Sequence, residues 1–246
     1  MTYCVAAVSQ QGIVFASDSR TNAGVDQVSV FSKTTVFEVP SERVLVLLSA
    51  GNLGTSQSVM SLLRMRARFP DGQPDLTGIE GLRSMYEVAV LVGQVVREVT
   101  ARDGPTLVSQ GIDASCTLIL GGQIRGEAPR LFLVYPQGNF IESTADTNYF
   151  QIGETKYGKP MIDRVVKFDT PLSDVAKCLL VSFDATMRSN LSVGPPIDLL
   201  GYEADALKVT LKRRYEEGDP YIGRISAHWS GGLLQVFTGV PEVSWG

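Results

Sequence analysis

Thr2, Asp18 and Lys33 are the residues from which chemistry could be built. Removal of Met1 would leave Thr2 with a hydroxyl and a free α-amine on the same residue, a nucleophile and its base in one unit. A hydroxyl attacks poorly until a base takes its proton. An α-amine, with a pKa of about 7.7–8.0, can serve near neutrality. A neighbouring ammonium would lower that pKa, and an aspartate bridging ammonium and backbone would hold the ammonium in place. Asp18 and Lys33 suit those parts if a strand over 13–17 folds back on a strand over 3–9, because the hairpin returns Asp18 to Thr2. Lys33 precedes the next strand and could arrive from the other side. Each residue also has an ordinary role: Thr2 opening an edge strand, Asp18 forming a turn, Lys33 charging a strand edge.

The elements that must position them are legible in the hydrophobic pattern. Residues 3–9 alternate, with Tyr3, Val5 and Ala7 on one face and Cys4, Ala6 and Val8 on the other. Both faces are apolar, which predicts a strand buried on both sides. Gln10-Gln11-Gly12 turns the chain into Ile13–Ser17, and a second hairpin joins Thr34–Val39 to Arg43–Ala50. Helical spacing follows over Gly54–Phe69, ended by Pro70-Asp71-Gly72, and over Gly78–Arg102, ended by Asp103-Gly104-Pro105. Strands return at Ala114–Gly121, Arg130–Tyr135, Asn139–Glu142 and Tyr149–Ile152. Helices are expected near 157–166 and over Leu172–Ser189. A strand over Ala206–Arg213 precedes a last helix after Asp219-Pro220, with Ile222, Ile225, Trp229, Leu233 and Phe237 on one face. Runs of strands and runs of helices, rather than strict alternation, point to an α+β fold: two antiparallel sheets packed face to face with helices outside.

Composition narrows the function. The 246 residues have a net charge of −4 and 44% hydrophobic content, which reads as one domain with a sizeable core. No basic stripe with interleaved aromatics is present, so no nucleic-acid partner is expected. The sequence shows no secretory signal and no apolar run long enough for a bilayer, so no membrane partner is expected and a cytoplasmic location is. Cys4, Cys116 and Cys178 are widely spaced, matching neither a disulfide framework nor a metal knuckle. The single histidine, His228, lies beside Trp229 in the last helix, where a surface or packing role fits best. No metal or cofactor is expected.

Thr2, the stretch GIVFASDSRTNAG (Gly12–Gly24) carrying Asp18, then Lys33, then Ser49-Ala50-Gly51 before the first helix, resembles the proteasome β-type subunits and HslV-like peptidases. IGETKYGKP (Ile152–Pro160) and DATMRSNLSVGPPIDL (Asp184–Leu200) are similar to the bacterial relative Anbu, the ancestral β-subunit. The resemblance spans nearly the whole chain and implies a four-layer αββα sandwich of the N-terminal-nucleophile hydrolases over 1–246. It implies Thr2 as nucleophile, Lys33 as the group tuning its amine, Asp18 as the partner of Lys33, Gly51 as an oxyanion donor and Asp184 as hydrogen-bonded support. Thr21-Asn22-Ala23 and 51–53 would flank a substrate strand. Thr21, Ser49 and Leu53 would border the side-chain pocket, which suggests a small or neutral substrate residue. Two departures from the β-subunit pattern bear on activity. Glu154 stands where a serine is usual and would raise the pKa of the amine, and Met187-Arg188 replaces a further serine that Ser189 could supply only if the helix shifts.

The activity implied is amide hydrolysis through an acyl-enzyme, on a peptide or other amide, in a homo-oligomeric ring or open spiral. Activation is expected to need only loss of Met1. Two alternatives share the same fold: a weakly active or inactive assembly module, and a small-molecule amidase.

Overall fold

Hairpin pairing governs the architecture from the first residues. In a computed structural model that describes residues 1–22, 28–68 and 78–245, β1 (Tyr3–Ser9) and β2 (Gly12–Asp18) pair antiparallel, with Cys4 opposite Ser17 and Ser9 opposite Gly12. Every residue of both strands is buried. β3 (Arg20–Asn22) and β4 (Val28–Val30) form a separate ribbon. β5 (Thr34–Val39) and β6 (Arg43–Gly51) form the second large hairpin. Helices α1 (Leu53–Arg68) and α2 (Met85–Ser109) follow. The strands β7 (Cys116–Ile124), β8 (Arg130–Val134), β9 (Phe140–Glu142) and β10 (Tyr149–Gly153) come next. Helices α3 (Lys159–Val165) and α4 (Leu172–Ser189), strands β11 (Ile197–Glu203) and β12 (Leu211–Tyr215), and α5 (Pro220–Phe237) complete the chain.

Two five-stranded antiparallel sheets result. One runs β10-β1-β2-β11-β12, and the other runs β5-β6-β7-β8-β9 in chain order. The period-two pattern of β1 divides its side chains as the sequence predicts. Tyr3, Val5 and Ala7 pack with Val175, Leu179 and Phe183 of α4, while Cys4, Ala6 and Val8 pack with Val44, Val46 and Leu48 of β6. The opposite face of β6, through Leu45 and Leu47, packs with Val59 and Leu63 of α1 and Val92 and Val96 of α2. The core is therefore three apolar clusters, the middle one drawing on both sheets.

The structure departs from the sequence pattern at five points. The second long helix begins at Met85, because Ser84 accepts the Glu87 N–H at 3.2 Å while Glu87 Oε2 accepts the Arg83 N–H at 2.7 Å, much as in a capping box. It then continues through Asp103-Gly104-Pro105, with Pro105 on the exposed side, where water can satisfy the freed carbonyl. The strand expected over 206–213 begins only at Leu211, since Asp205 and Leu207 take positive φ values of 65° and 47° in the turn before it. The sequence pattern does not reveal β11, because Asp198 and Gly201 interrupt its apolar run. It is nonetheless buried on both faces, with Ile197 and Leu199 toward α4 and Leu200 and Tyr202 toward the other sheet. Finally, α5 has no buried residue: Ile222 and Ile225 pack partly on the core, but Leu233 and Phe237 are exposed. The expected stop at Pro70-Asp71-Gly72, with Phe69, lies outside the described residues.

Pro105→Ala restores one intrahelical hydrogen bond at an exposed position. It should raise stability by about 2 kcal/mol, read as a higher urea midpoint at unchanged m-value. A lowered midpoint would mean that the proline favours the native chain.

Candidate active site

The β1–β2 register brings Tyr3 to Asp18. The Tyr3 N–H donates to Asp18 Oδ1 at 3.0 Å, and Lys33 Nζ donates to the same oxygen at 2.7 Å. Lys33 Nζ also donates to the Arg20 carbonyl at 2.7 Å. The two side chains are only 6% and 0% exposed, so this is a buried ion pair. Burial pushes the Asp18 carboxyl above its ordinary range, against the pull of the Lys33 charge and the Tyr3 N–H.

Further groups fix this pair in place. Asp198 of β11 accepts hydrogen bonds from Ser19 Oγ at 3.1 Å and Ser32 Oγ at 3.2 Å, and pairs with Arg214 at 2.8 Å. Ser19 follows Asp18 and Ser32 precedes Lys33, so one carboxylate fastens both flanks of the pair. Ser17 and Thr34 share a hydroxyl–hydroxyl bond of 2.9 Å, and the Ser49 N–H donates to the Lys33 carbonyl at 3.0 Å.

Thr2 is held from both sides. Its carbonyl accepts the Glu154 N–H at 2.7 Å. Gly153, at φ 82°, permits that approach, since a Cβ there would overlap the Thr2 carbonyl oxygen. The Glu154 carboxylate accepts from Asn190 Nδ2 at 3.0 Å. On the other side, the buried Tyr3 phenol bonds Ser182 Oγ at 2.9 Å and accepts from Gln151 at 2.7 Å, and its ring centroid lies 4.6 Å from that of Phe183. Met1 is exposed.

The remaining candidates divide. Gly51 ends β6 at φ 108°, exposed, and Asn52 then caps α1 by accepting the Thr55 N–H at 3.1 Å. Ser49 and Leu53 line a cavity that Lys33 also borders. Thr21 lies on β3 but does not line that cavity, and Asn22 ends the same strand. Ala23 lies outside the described residues. Asp184 is drawn elsewhere. Among the described residues its side chain bonds Arg188 Nε at 3.1 Å, and Arg188 in turn bonds Ser226 and Ser230 of α5. The structure thus gathers Thr2, Asp18 and Lys33 and directs this Asp184 contact toward α5. Ser189 is exposed at the end of α4.

Sequence reasoning missed Asp198, Asn190 and the reason for Gly153. For Asp198 the only signal was an acid inside an apolar run. For Gly153 there was none, since its φ is set by how β10 meets Thr2. The three cysteines are buried, with Cys116 and Cys178 pushed up to about 11 and Cys4 raised further by burial. None is a thiolate near neutrality. Among the described residues no group of three or more His, Cys, Asp or Glu could hold a metal ion, and no helix is long and apolar enough to cross a membrane.

Solved structures similar to this chain share both sequence and fold. Anbu (ancestral β-subunit) from Yersinia bercovieri is 51% identical over 100% of both chains, with a TM-score of 0.91. The Anbu complex from Pseudomonas aeruginosa, described as a helical assembly, is 48% identical over 99% of both chains, with a TM-score of 0.91. Anbu from Hyphomicrobium sp. strain MC1 is 46% identical over 99% of this chain and 100% of its own, with a TM-score of 0.90. No protein-family model and no curated protein matches the chain.

Removing one member of the buried pair leaves the other charge without its partner. Asp18→Asn and Lys33→Met should each destabilise by about 3–5 kcal/mol, whereas the double variant should recover most of that loss. Chemical denaturation of the full cycle measures the coupling. Additive losses would show that the two groups act independently.

Proposed function

The chain belongs to the Anbu family of proteasome-like proteins, and from that premise we propose that it is an N-terminal threonine hydrolase acting on peptide or other amide bonds. One observation carries the reading: a buried ammonium and carboxylate lie 2.7 Å apart, and the same carboxylate oxygen accepts the backbone N–H of Tyr3, the residue after Thr2. Loss of Met1 converts the Thr2 amide nitrogen into an α-amine beside this pair. The Lys33 charge favours the neutral amine, which takes the hydroxyl proton as Oγ attacks the substrate carbonyl. The Gly51 N–H stabilises the developing oxyanion, a contribution of about 2.7–4 kcal/mol for one such donor. Collapse breaks the C–N bond, the amine proton passes to the leaving nitrogen, and water then hydrolyses the threonyl ester. Thr21, Asn22 and Leu53 flank the substrate strand, and Asp184 supports the α4 side through Arg188.

The three apolar clusters fit a four-layer αββα sandwich forming one peptidase domain over 1–246. The protein acts as a homo-oligomer. Its relative from P. aeruginosa is described as a helical assembly, and the end of α5 offers a surface for such contacts. Leu234, Val236 and Phe237 are 69%, 72% and 71% exposed there, an apolar patch suited to a second copy. Glu154, buried with its backbone N–H on the Thr2 carbonyl, favours a second reading, an assembly module in which hydrolysis is weak or absent.

One experiment separates these readings and a second tests the α5 contact. Protein freed of Met1 should gain the mass of a threonine-directed electrophile at a single site and slowly turn over acyl-amide reporters. Thr2→Ala should do neither, and Thr2→Ser should retain labelling; equal turnover by wild type and Thr2→Ala would leave the module reading. Leu234→Glu with Phe237→Glu should shift the protein to smaller species in analytical ultracentrifugation. An unchanged sedimentation profile would place the contact elsewhere.

A further inference from the structure

The cavity beside Lys33 has a volume of about 290 Å³. Six of its eleven lining residues carry hydroxyl groups, among them Thr35, Ser49, Ser56 and Ser61, and none is acidic. Two of its walls are cationic. Lys33 is neutralised by Asp18 at 2.7 Å. Arg64 is not: among the described residues its guanidinium makes no ion pair, and its hydrogen bond is a donation to Thr35 Oγ1 at 3.3 Å. A pocket whose guanidinium has no ion partner among the described residues, and which offers several hydroxyl donors, favours a carboxylate, because charge-assisted bonds to arginine are stronger and more directional than neutral ones.

The cavity is also placed to read substrate. Lys33 borders it and ends on Asp18, whose Oδ1 accepts the N–H of Tyr3, the residue after Thr2. Ser49 and Leu53 line it at the end of β6 and the start of α1, and Arg64 lines it farther along that helix, where its guanidinium donates to Thr35 of β5. A side chain next to the cleaved bond would enter past Lys33 and Ser49 and reach the guanidinium.

We propose that this cavity receives an acidic side chain of the substrate, with Arg64 as the specificity-determining counter-charge. The proposal rests on the reading of Thr2 as nucleophile, and it replaces the small or neutral residue expected from Thr21, Ser49 and Leu53. Glutamate fits better than aspartate, since the longer side chain reaches farther toward Arg64.

The test uses Met1-free protein and acetyl-capped peptide epoxyketones that differ only in the side chain beside the electrophile: none (glycine), glutamate, leucine or lysine. Labelling rates are followed by intact mass. The glutamate probe should react about tenfold or more faster than the leucine probe, with lysine slowest. In Arg64→Ala the glutamate-to-glycine rate ratio should fall about tenfold, and in Arg64→Glu the preference should turn toward lysine. A leucine preference in the wild type, or a glutamate advantage that survives Arg64→Ala, overturns the proposal while the glycine probe still reports a working nucleophile. Absence of labelling by the glycine probe removes the nucleophile reading and the pocket with it.

Discussion

A buried ammonium sharing one carboxylate oxygen with a backbone N–H is the constraint on which the local structure depends. Taking both charges out of water is costly, and the cost is offset only where geometry supplies near-ideal bonds on every side. Lys33 finds the Asp18 oxygen and the Arg20 carbonyl, both at 2.7 Å. Three segments must therefore meet within a few ångströms: the start of β1, the end of β2 and the chain just before β5. Asp198 adds a fourth, tying Ser19 and Ser32 from β11. Displacing any one of them would leave a buried charge or hydroxyl without its partner.

That demand explains why the surroundings of Thr2 are so thoroughly anchored. The phenol of Tyr3 is bonded twice and packed on Phe183, and the carbonyl of Thr2 is held by Glu154 across a glycine. The nucleophile proposed at Thr2 needs neighbours that cannot drift, and rigid sheet elements hold position better than loops. The cavity leading to Arg64 borrows the same rigidity. Its walls are β5, the end of β6 and one face of α1, all attached to the apolar cluster that Leu45 and Leu47 join to the helices.

Legibility in the sequence followed the range of the interactions. The β1–β2 and β5–β6 hairpins were readable because alternation and turn residues are local, and the pairing register follows from them. The start of α2 was readable in principle from Ser84 and Glu87, though helical periodicity upstream masked it. Its end was not, because a proline stops a helix only where the lost bond cannot be replaced, and Pro105 faces solvent. β11 escaped notice since Asp198 breaks its apolar pattern, and that aspartate has a reason to be there only once Ser19, Ser32 and Arg214 surround it. The stripe of α5 suggested burial, yet a stripe reports only that something apolar could cover it. In this chain Ile222 and Ile225 touch the core and Leu233 and Phe237 do not.

The sequence by itself determined the alternating strands, the order of strands and helices, and the meeting of Asp18 with the start of β1, because each depends on periodicity or on a single hairpin. Tertiary structure alone decided that Asp184 bonds Arg188 on the α5 side, that Gly153 must be a glycine, and that Arg64 lines the cavity that Lys33 also borders. Those outcomes depend on where elements distant in the chain come to rest. The physical reason is one of range: local propensity shapes each element, whereas the environment of a charge is set by every element packed around it.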